Sequence, residues 1–243
     1  MFLLLSSTAA IFVFCHYYAK AISDYLFKRG QEASIQAQSF DAIIYFSWAV
    51  VFDPHNGDAY FYRGEERRRL GDIESAVPDY DLAVERSEFK SFFRSKRAEL
   101  RISQHLYTKA LTDLNDNIKE LGDPDDYFTR AVLELIFNNP KDAKADLDAA
   151  IKVYPASKYL ITRSQMEYTD GQLDATISDL RSAFISEKPK VSSELLLWLA
   201  QSENSTQRSA ADKELDDYLQ SNAATEGSFQ VRIGLFFGRQ DEP

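Results

Sequence analysis

The sequence has few of the residues that break up or cross-link a chain. Its 243 residues include nine glycines, seven prolines and a single cysteine, Cys15. An all-β fold with many turns needs more glycine and proline, so their scarcity favours helix. One thiol forms neither an internal disulfide nor a zinc site, and cysteine usage therefore leaves the redox compartment open.

Residues and motifs that carry chemistry are also sparse. The three histidines, His16, His55 and His105, are far apart in the sequence and share no metal-ligand spacing. There is no glycine-rich phosphate loop and no nucleophile elbow. Acidic pairs are expected from composition alone and fit solvated helix ends. These absences predict a protein that is not an enzyme and holds no metal or cofactor.

Basic charge is in deficit. The chain carries 28 lysines and arginines against 38 acidic side chains, a formal charge of −10. A nucleic-acid ligand requires a basic face, and broad adhesion to anionic lipid requires basic clusters, so both are disfavoured. Apolar residues make up 44% of the chain, enough for a packed core.

The first residues form the longest uncharged stretch, from Phe2 to Ala19. A secretory signal peptide is one interpretation, because Ala19 and Ala21 place small residues where signal peptidase cleaves. An uncleaved membrane anchor is the second, since the stretch reaches the lower length limit for spanning a bilayer. A helix buried in a soluble domain is the third. On the first two interpretations, residues 1–21 are a leader or an anchor, and the remaining chain is periplasmic, exported or membrane-anchored.

An internal repeat covers most of the remaining chain. Five arginines recur at steps of 34, 34, 33 and 33 residues, namely Arg29, Arg63, Arg97, Arg130 and Arg163. Thirteen residues after each arginine lies a small residue, namely Ala42, Ala76, Ala110, Ala143 and Thr176. Seventeen residues after each lies a large apolar one, namely Phe46, Tyr80, Leu114, Leu147 and Leu180. A period of this length indicates stacked supersecondary units.

This pattern resembles the tetratricopeptide repeat family. The unit from Gly57 to Lys90 matches best, with Tyr60, Gly64, Gly71, Ala76, Tyr80 and Ala83 in register. The resemblance covers about Ser23 to Lys190. It implies an all-α, right-handed superhelical solenoid of antiparallel helix pairs, with about five units. Gly71-Asp72 and Asp170-Gly171 are predicted turns between the two helices of a unit.

The predicted domain organisation continues beyond the repeats. Residues 23–190 form five repeats, and residues 191–221 form a degenerate sixth hairpin whose acidic last helix suits a solenoid cap. Residues 222–243 form a tail containing the apolar run FQVRIGLFF, which is expected to fold back on the last hairpin. A similar tail follows the repeats in some exported bacterial proteins of this family.

The resemblance also implies where partners bind. In this family the first helix of each unit lines a concave face that holds peptide segments of other proteins. Carried over position by position, the residues predicted to bind protein are Phe61, Glu65, Arg68, Glu99, Phe128 and Tyr168. The predicted function is a protein–protein interaction adaptor. A membrane-anchored structural subunit of a multiprotein complex is the alternative, with residues 2–19 as the membrane contact.

The recurring arginines carry a structural prediction. In four units an aspartate follows the arginine by sixteen residues, giving the pairs Arg63–Asp79, Arg97–Asp113, Arg130–Asp146 and Arg163–Asp179. We expect each arginine to lay its stem on apolar surface and turn its head towards that aspartate, as an exposed pair that sets register. Tyr45 stands at the aspartate position of the first unit, so Arg29 should lack this partner.

Overall fold

The computed structural model describes residues 2–186, 196–197, 199–201, 203–204 and 213, with side chains from Tyr17 onward. The bounds of its helices are α1 Phe2–Ile35, α2 Ser39–Phe52, α3 Gly57–Arg69, α4 Ile73–Arg86, α5 Lys90–Ser103, α6 Tyr107–Glu120, α7 Pro124–Ile136, α8 Pro140–Val153, α9 Ser157–Thr169 and α10 Leu173–Ser186. The predicted sixth hairpin, apart from a few isolated positions, and the C-terminal tail lie outside the described residues.

The helices pack as consecutive pairs, and the described residues contain no β-strand. The predicted all-α array of helical hairpins is confirmed. The chain divides into two compact units, Met1–Asp126 and Tyr127–Pro243. The first unit holds the hairpins α1/α2, α3/α4 and α5/α6, and the second holds most of α7 together with α8, α9 and α10.

The first helix, α1, is continuous from Phe2 to Ile35. It passes Ala21 without a break, so the predicted leader and the first helix of the first hairpin share one helix. The Ser23 hydroxyl donates to the carbonyl of Ala49 at 2.9 Å, which fixes α1 against the C-terminal half of α2. Within the described part of the chain, no helix combines the length and the apolar character needed to cross a membrane.

Each of the five hairpins turns in the same way. At the end of its first helix one residue adopts a left-handed conformation; these are Ala37 (φ 58°), Gly71 (φ 82°), His105 (φ 59°), Asn138 (φ 60°) and Gly171 (φ 72°). The amide of this residue donates three residues back, and the next amide donates five residues back, as Gly71→Arg68 and Asp72→Arg67 show. This paired pattern is the Schellman motif, which satisfies carbonyls left free at a helix end. The turn predicted at two positions is therefore present at five.

The two helices of a hairpin meet at a small residue of the first helix and a large one of the second. A Cβ added to Gly30 would lie 2.5 Å from Phe46, and one added to Gly64 would lie 3.0 Å from Tyr80. The later hairpins have Ala98 with Leu114, Ala131 with Leu147 and Ser164 with Leu180, all of them buried. Where the first helix has glycine, the second helix has an aromatic ring. Where the first helix has the larger alanine or serine, the second helix has the smaller leucine. The sizes compensate because protein cores are close-packed.

The arginine–aspartate prediction is confirmed in all four pairs. Each guanidinium holds its aspartate through two bonds, from Nε and Nη2, of 2.6–3.0 Å in the pairs Arg63–Asp79, Arg97–Asp113, Arg130–Asp146 and Arg163–Asp179. Hydrogen bonding to these carboxylates raises the pKa of Arg130 and of Arg163 above its usual range. As expected, Arg29 has another partner, Glu32, at 2.7 Å.

One part of that prediction was wrong, because the four aspartates are buried rather than exposed. Asp79 is 2% exposed and accepts from Arg67 as well as Arg63. Asp113 is shared in the same way by Arg97 and Arg101. Each of these two carboxylates is buried and is held by two arginines. Such a contact is much stronger than an ion pair on the surface.

Candidate protein-binding surfaces

The predicted binding residues are divided between the two units. Phe61, Glu65, Arg68 and Glu99 belong to the first, and Phe128 and Tyr168 belong to the second. Each unit therefore carries its own candidate surface, and the two are described separately.

In the first unit the surface is charged. Glu65 on α3 accepts from the Arg68 guanidinium at 2.7 Å and from the hydroxyl of Tyr80. On α5, Lys96 holds Glu99 at 2.8 Å. The hydrogen bond to Glu65, with a smaller contribution from the charge of Glu99, raises the pKa of Arg68, which stays cationic. The structure thus pairs Glu65 with Arg68 on α3, and Glu99 on α5 has a different partner, Lys96.

Phe61 does not offer its ring to a partner. It is 6% exposed, and its ring lies 5.1–5.6 Å from the rings of Tyr62, Tyr80, Phe92 and Phe93. The neighbouring hairpin fills the space around it, because Phe92 and Phe93 belong to α5. Phe61 packs in the core beneath the surface and does not reach a peptide bound on it.

In the second unit the surface is apolar at its centre. Phe128 on α7 is half-buried, with its ring 5.2 Å from that of Tyr159 on α9. The ammonium of Lys158 lies 5.4 Å from the centre of the Phe128 ring, within cation–π range. Phe128 therefore keeps part of its ring accessible while its position is fixed by two neighbours.

Tyr168 lies at the other end of α9 and has a different environment. Its hydroxyl donates to Glu203 at 2.7 Å. That hydrogen bond, with partial burial, raises the pKa of Tyr168, so the phenol stays protonated at neutral pH. The ring is half-buried and its polar end is engaged.

Two neighbours of Phe128 are more exposed than Phe128 itself. Val132 and Ile136 lie four and eight residues further along α7 and are 37% and 53% exposed. Residues at this spacing share one helix face, so the three form an apolar stripe, here called the α7 stripe. Val132 occupies a groove position of the repeat pattern, which is the signal that could have singled it out from the sequence.

The predicted polar residues of the two surfaces have side-chain partners, since Glu65 pairs with Arg68, Glu99 pairs with Lys96, and Tyr168 donates to Glu203. Among the residues that the structure describes, no group of three or more histidine, cysteine, aspartate or glutamate side chains is placed to hold a metal ion. The surfaces are suited to non-covalent contact with a polypeptide, apolar on one unit and charged on the other.

Several solved structures share this fold. PilF from Pseudomonas aeruginosa superimposes with a TM-score of 0.71 at 14% identity, covering 88% of this chain and 96% of that one. PilW, a type IV pilus biogenesis factor, gives a TM-score of 0.66 at 14% identity over 87% of this chain and 98% of that one. A tetratricopeptide repeat protein from Parabacteroides merdae gives 0.64 at 16% identity, covering 82% and 80%. No family model and no curated protein matches the sequence.

The repeated hairpin, its Schellman turn and its small-to-large contact define a helical-repeat protein. Its structure has the tetratricopeptide repeat fold, in agreement with the resemblance found in the sequence.

Proposed function

We propose that this chain is a non-enzymatic adaptor that holds peptide segments of partner proteins on the first helices of its hairpins. The observation that carries the proposal is the α7 stripe, in which Val132 and Ile136 are exposed beside the half-buried Phe128, on the helix face where the repeat pattern expects a partner. Isolated exposed apolar residues are common, but three in register on one helix form a surface for an apolar segment.

The charged surface of the first unit supports a second point of contact. Glu65, Arg68 and Glu99 lie on first helices and are partly exposed. Rim charges of this kind set orientation and association rate more than affinity. We expect the α7 stripe to take an apolar segment, and the first unit to take, at its own surface, charged side chains that meet groups such as Arg68 and Glu99.

The test uses peptides selected from a random library on the immobilised full chain. Val132→Glu plus Ile136→Glu should weaken the selected peptides about tenfold or more, because two desolvated contacts are lost. Thr112→Glu plus Ser182→Glu adds the same charges on second helices and is the matched control. Equal binding by both variants, with unchanged thermal melts, would rule out the α7 stripe as the peptide site.

We further propose that the chain is exported or membrane-associated. The support is the uncharged stretch from Phe2 to Ala19 and the likeness to PilW, a pilus biogenesis factor. Mass spectrometry of the native N-terminus separates the two forms. A mature protein that begins at Ile22 would indicate export with cleavage, whereas retention of residues 1–21 would favour the anchored structural subunit.

A further inference from the structure

The second helix, α2, carries an apolar stripe on its solvent face. Phe40, Ile44, Trp48 and Val51 are spaced four, four and three residues apart and are 75%, 54%, 53% and 62% exposed. That spacing puts them on one side of the helix. These four residues are called the α2 stripe. It lies on the opposite side of α2 from the buried Ala42, Phe46 and Ala49.

The repeat provides an internal comparison for each position of the α2 stripe. The equivalent residues of the other second helices are also exposed or half-exposed. They are Glu74, Pro78, Leu82 and Glu85 on α4; Thr108, Thr112, Asp116 and Lys119 on α6; Lys141, Ala145, Ala149 and Lys152 on α8; Asp174, Ser178, Ser182 and Ile185 on α10. Only Leu82 and Ile185 among them are large and apolar. The fold thus exposes these positions in each hairpin that the structure describes, and among those hairpins α2 alone fills all four with large apolar side chains.

The stripe is uncharged along its length. Asp41 is the only charged residue of α2, and it lies at the N-terminal end of the helix. The protein as a whole carries a formal charge of −10. Two copies that met through most other parts of this surface would bring like charges together, whereas two α2 stripes meet without that cost. A two-fold interface joins one patch to itself, so an uncharged patch is self-complementary.

The size of the stripe fits a modest dimer interface. Side chains of these types at these exposures present on the order of 500 Å² of apolar surface. Two such patches together bury about 1,000 Å², which reaches the lower limit of specific interfaces. The helix spacing also suits helix-on-helix packing, since Ile44, Trp48 and Val51 recur at steps of four and three, as in a coiled-coil seam.

A lipid surface is the competing occupant, and the helix geometry disfavours it. α1 and α2 are antiparallel, and the apolar N-terminal part of α1 extends past the end of α2 that carries Val51. Phe40, the most exposed member, lies about 16 Å further back along α2, at about 1.5 Å per residue. A bilayer that took up residues 2–19 along its normal would leave Phe40 in water.

We propose that the α2 stripe is the interface through which two copies of this chain form a two-fold homodimer. This interface is distinct from the α7 stripe, so the adaptor role does not depend on it. In the dimer, Ile44 and Trp48 lie at the centre of the contact, and Phe40 and Val51 lie towards its ends.

Light scattering after size-exclusion chromatography of the full chain tests the interface. The wild type and the control Thr112→Glu plus Ser182→Glu, which changes the equivalent positions of other hairpins, should both have twice the mass of one chain. Ile44→Glu plus Trp48→Glu should have half that mass. A double variant that keeps the wild-type mass, or a wild type that is monomeric at all concentrations, would overturn the proposal.

Cross-linking provides a second test of the dimer interface, which applies even if Ile44→Glu plus Trp48→Glu does not fold. In a Cys15→Ser background, Ile44→Cys should give a covalent dimer with a short bis-maleimide, and Thr112→Cys should not. Equal yields at the two positions would contradict the interface. Monomeric protein that sediments with phosphatidylcholine vesicles through the α2 stripe, and loses this on Ile44→Glu plus Trp48→Glu, would replace the dimer with a lipid contact.

Discussion

At the scale of single residues, each hairpin turn requires one residue with a positive φ, and alanine is poorly suited to that conformation. Ala37 has φ 58°, a left-handed value that costs an L-residue with a Cβ about 1–2 kcal/mol relative to its right-handed conformation. Glycine adopts this value readily, as Gly71 and Gly171 do in the equivalent turns. Two of the five turns thus use glycine, whereas Ala37 must be held in this conformation by the Schellman hydrogen bonds around it.

Ala37→Gly should therefore stabilise the protein. We expect the free energy of unfolding to rise by about 0.5–1 kcal/mol, since the relief of strain exceeds the extra entropy of the unfolded glycine. Urea denaturation followed by circular dichroism measures this. Gly71→Ala, the reverse change in the next hairpin, is the matched control and should lower the stability by a similar amount. A loss of stability in Ala37→Gly would contradict the strain at this turn.

The contact between Gly30 and Phe46 gives a second prediction at this scale. A Cβ at position 30 would lie 2.5–2.9 Å from three ring atoms of Phe46, so Gly30→Ala should destabilise by about 1–3 kcal/mol despite the better helix propensity of alanine. Phe46→Leu should relieve the clash, because alanine and leucine occupy these positions together in two later hairpins. A double-mutant cycle measures the coupling. Additive effects of the two changes would show that the residues do not compete for space.

The sequence predicted some of these residues and not others, for physical reasons. Gly71 and Gly171 predict a turn because glycine tolerates left-handed backbone, whereas Ala37 has no such preference and takes the conformation from its hairpin. The arginine–aspartate pairs were predictable because their spacing repeats. The burial of Phe61 was not, since it depends on Phe92 and Phe93 of the following hairpin, which sequence position alone does not place.

At the scale of elements, a buried aspartate links the two helices in four of the five described hairpins. Asp79 on α4 receives Arg63 and Arg67 from α3 at 2.6 and 2.7 Å. Asp79→Ala would leave two partly buried guanidinium groups without their acceptor. Because the arginines retain some access to water, we expect a loss of about 2–3 kcal/mol.

Asp81 provides the comparison for Asp79. It is half-exposed and pairs with Arg97 and Arg101, so Asp81→Ala should cost less than about 1 kcal/mol. Chemical denaturation of both variants under the same conditions gives the difference. Similar losses in the two would show that burial does not govern the strength of these links.

Asp126, on the first turn of α7, makes the stability depend on pH. Its carboxylate is 5% exposed and accepts from the Ser95 hydroxyl at 2.8 Å, and burial raises the pKa of Asp126. A carboxyl group whose pKa is higher in the folded than in the unfolded state favours folding when protonated. Its contribution is full below the unfolded pKa and is lost as pH rises through the folded pKa.

Asp126→Asn should therefore gain stability relative to the wild type as pH rises above about 4, the ordinary aspartate pKa. The amide keeps an acceptor for Ser95 and carries no charge to bury. Unfolding free energies at several pH values between 4 and 7 give the difference between the two proteins. Asp116→Asn, on the exposed face of α6, is the control, and an equal pH-dependent gain there would refute the assignment to Asp126.

At the scale of the whole molecule, the repeat pattern predicted the architecture because stacking is its only way to bury each hairpin's apolar face. The division into the units Met1–Asp126 and Tyr127–Pro243 was not foreseen. The repeat runs across residue 126 without a change of period, and the pattern of large and small residues carries no mark of a boundary there. The α7 and α2 stripes were also missed as sets, since their exposure depends on which helix faces the fold leaves open.

The two units should lose their protection from hydrogen exchange separately. Leu147 is fully buried among Ala131, Ala143 and Tyr159 of the second unit, and Leu147→Ala should destabilise that unit by about 3 kcal/mol. Hydrogen exchange with mass spectrometry should show faster exchange in α8 and α9 and little change in α3 and α4, because local opening follows cooperative units. Equally faster exchange in α3 and α4 would show that the chain unfolds as one.

The Arg97 side chain ties three helices together with bonds of unequal strength. Two bonds hold it to the buried Asp113 in its own hairpin, and one of 2.8 Å holds it to the half-exposed Asp81 on α4. If the chain is pulled from its ends, we expect the exposed contacts of Asp81 between hairpins to break before the two buried bonds to Asp113, which keep α5 and α6 together. The first unit should then lengthen under tension in steps of one hairpin, because neighbouring hairpins separate before the two helices of a hairpin come apart.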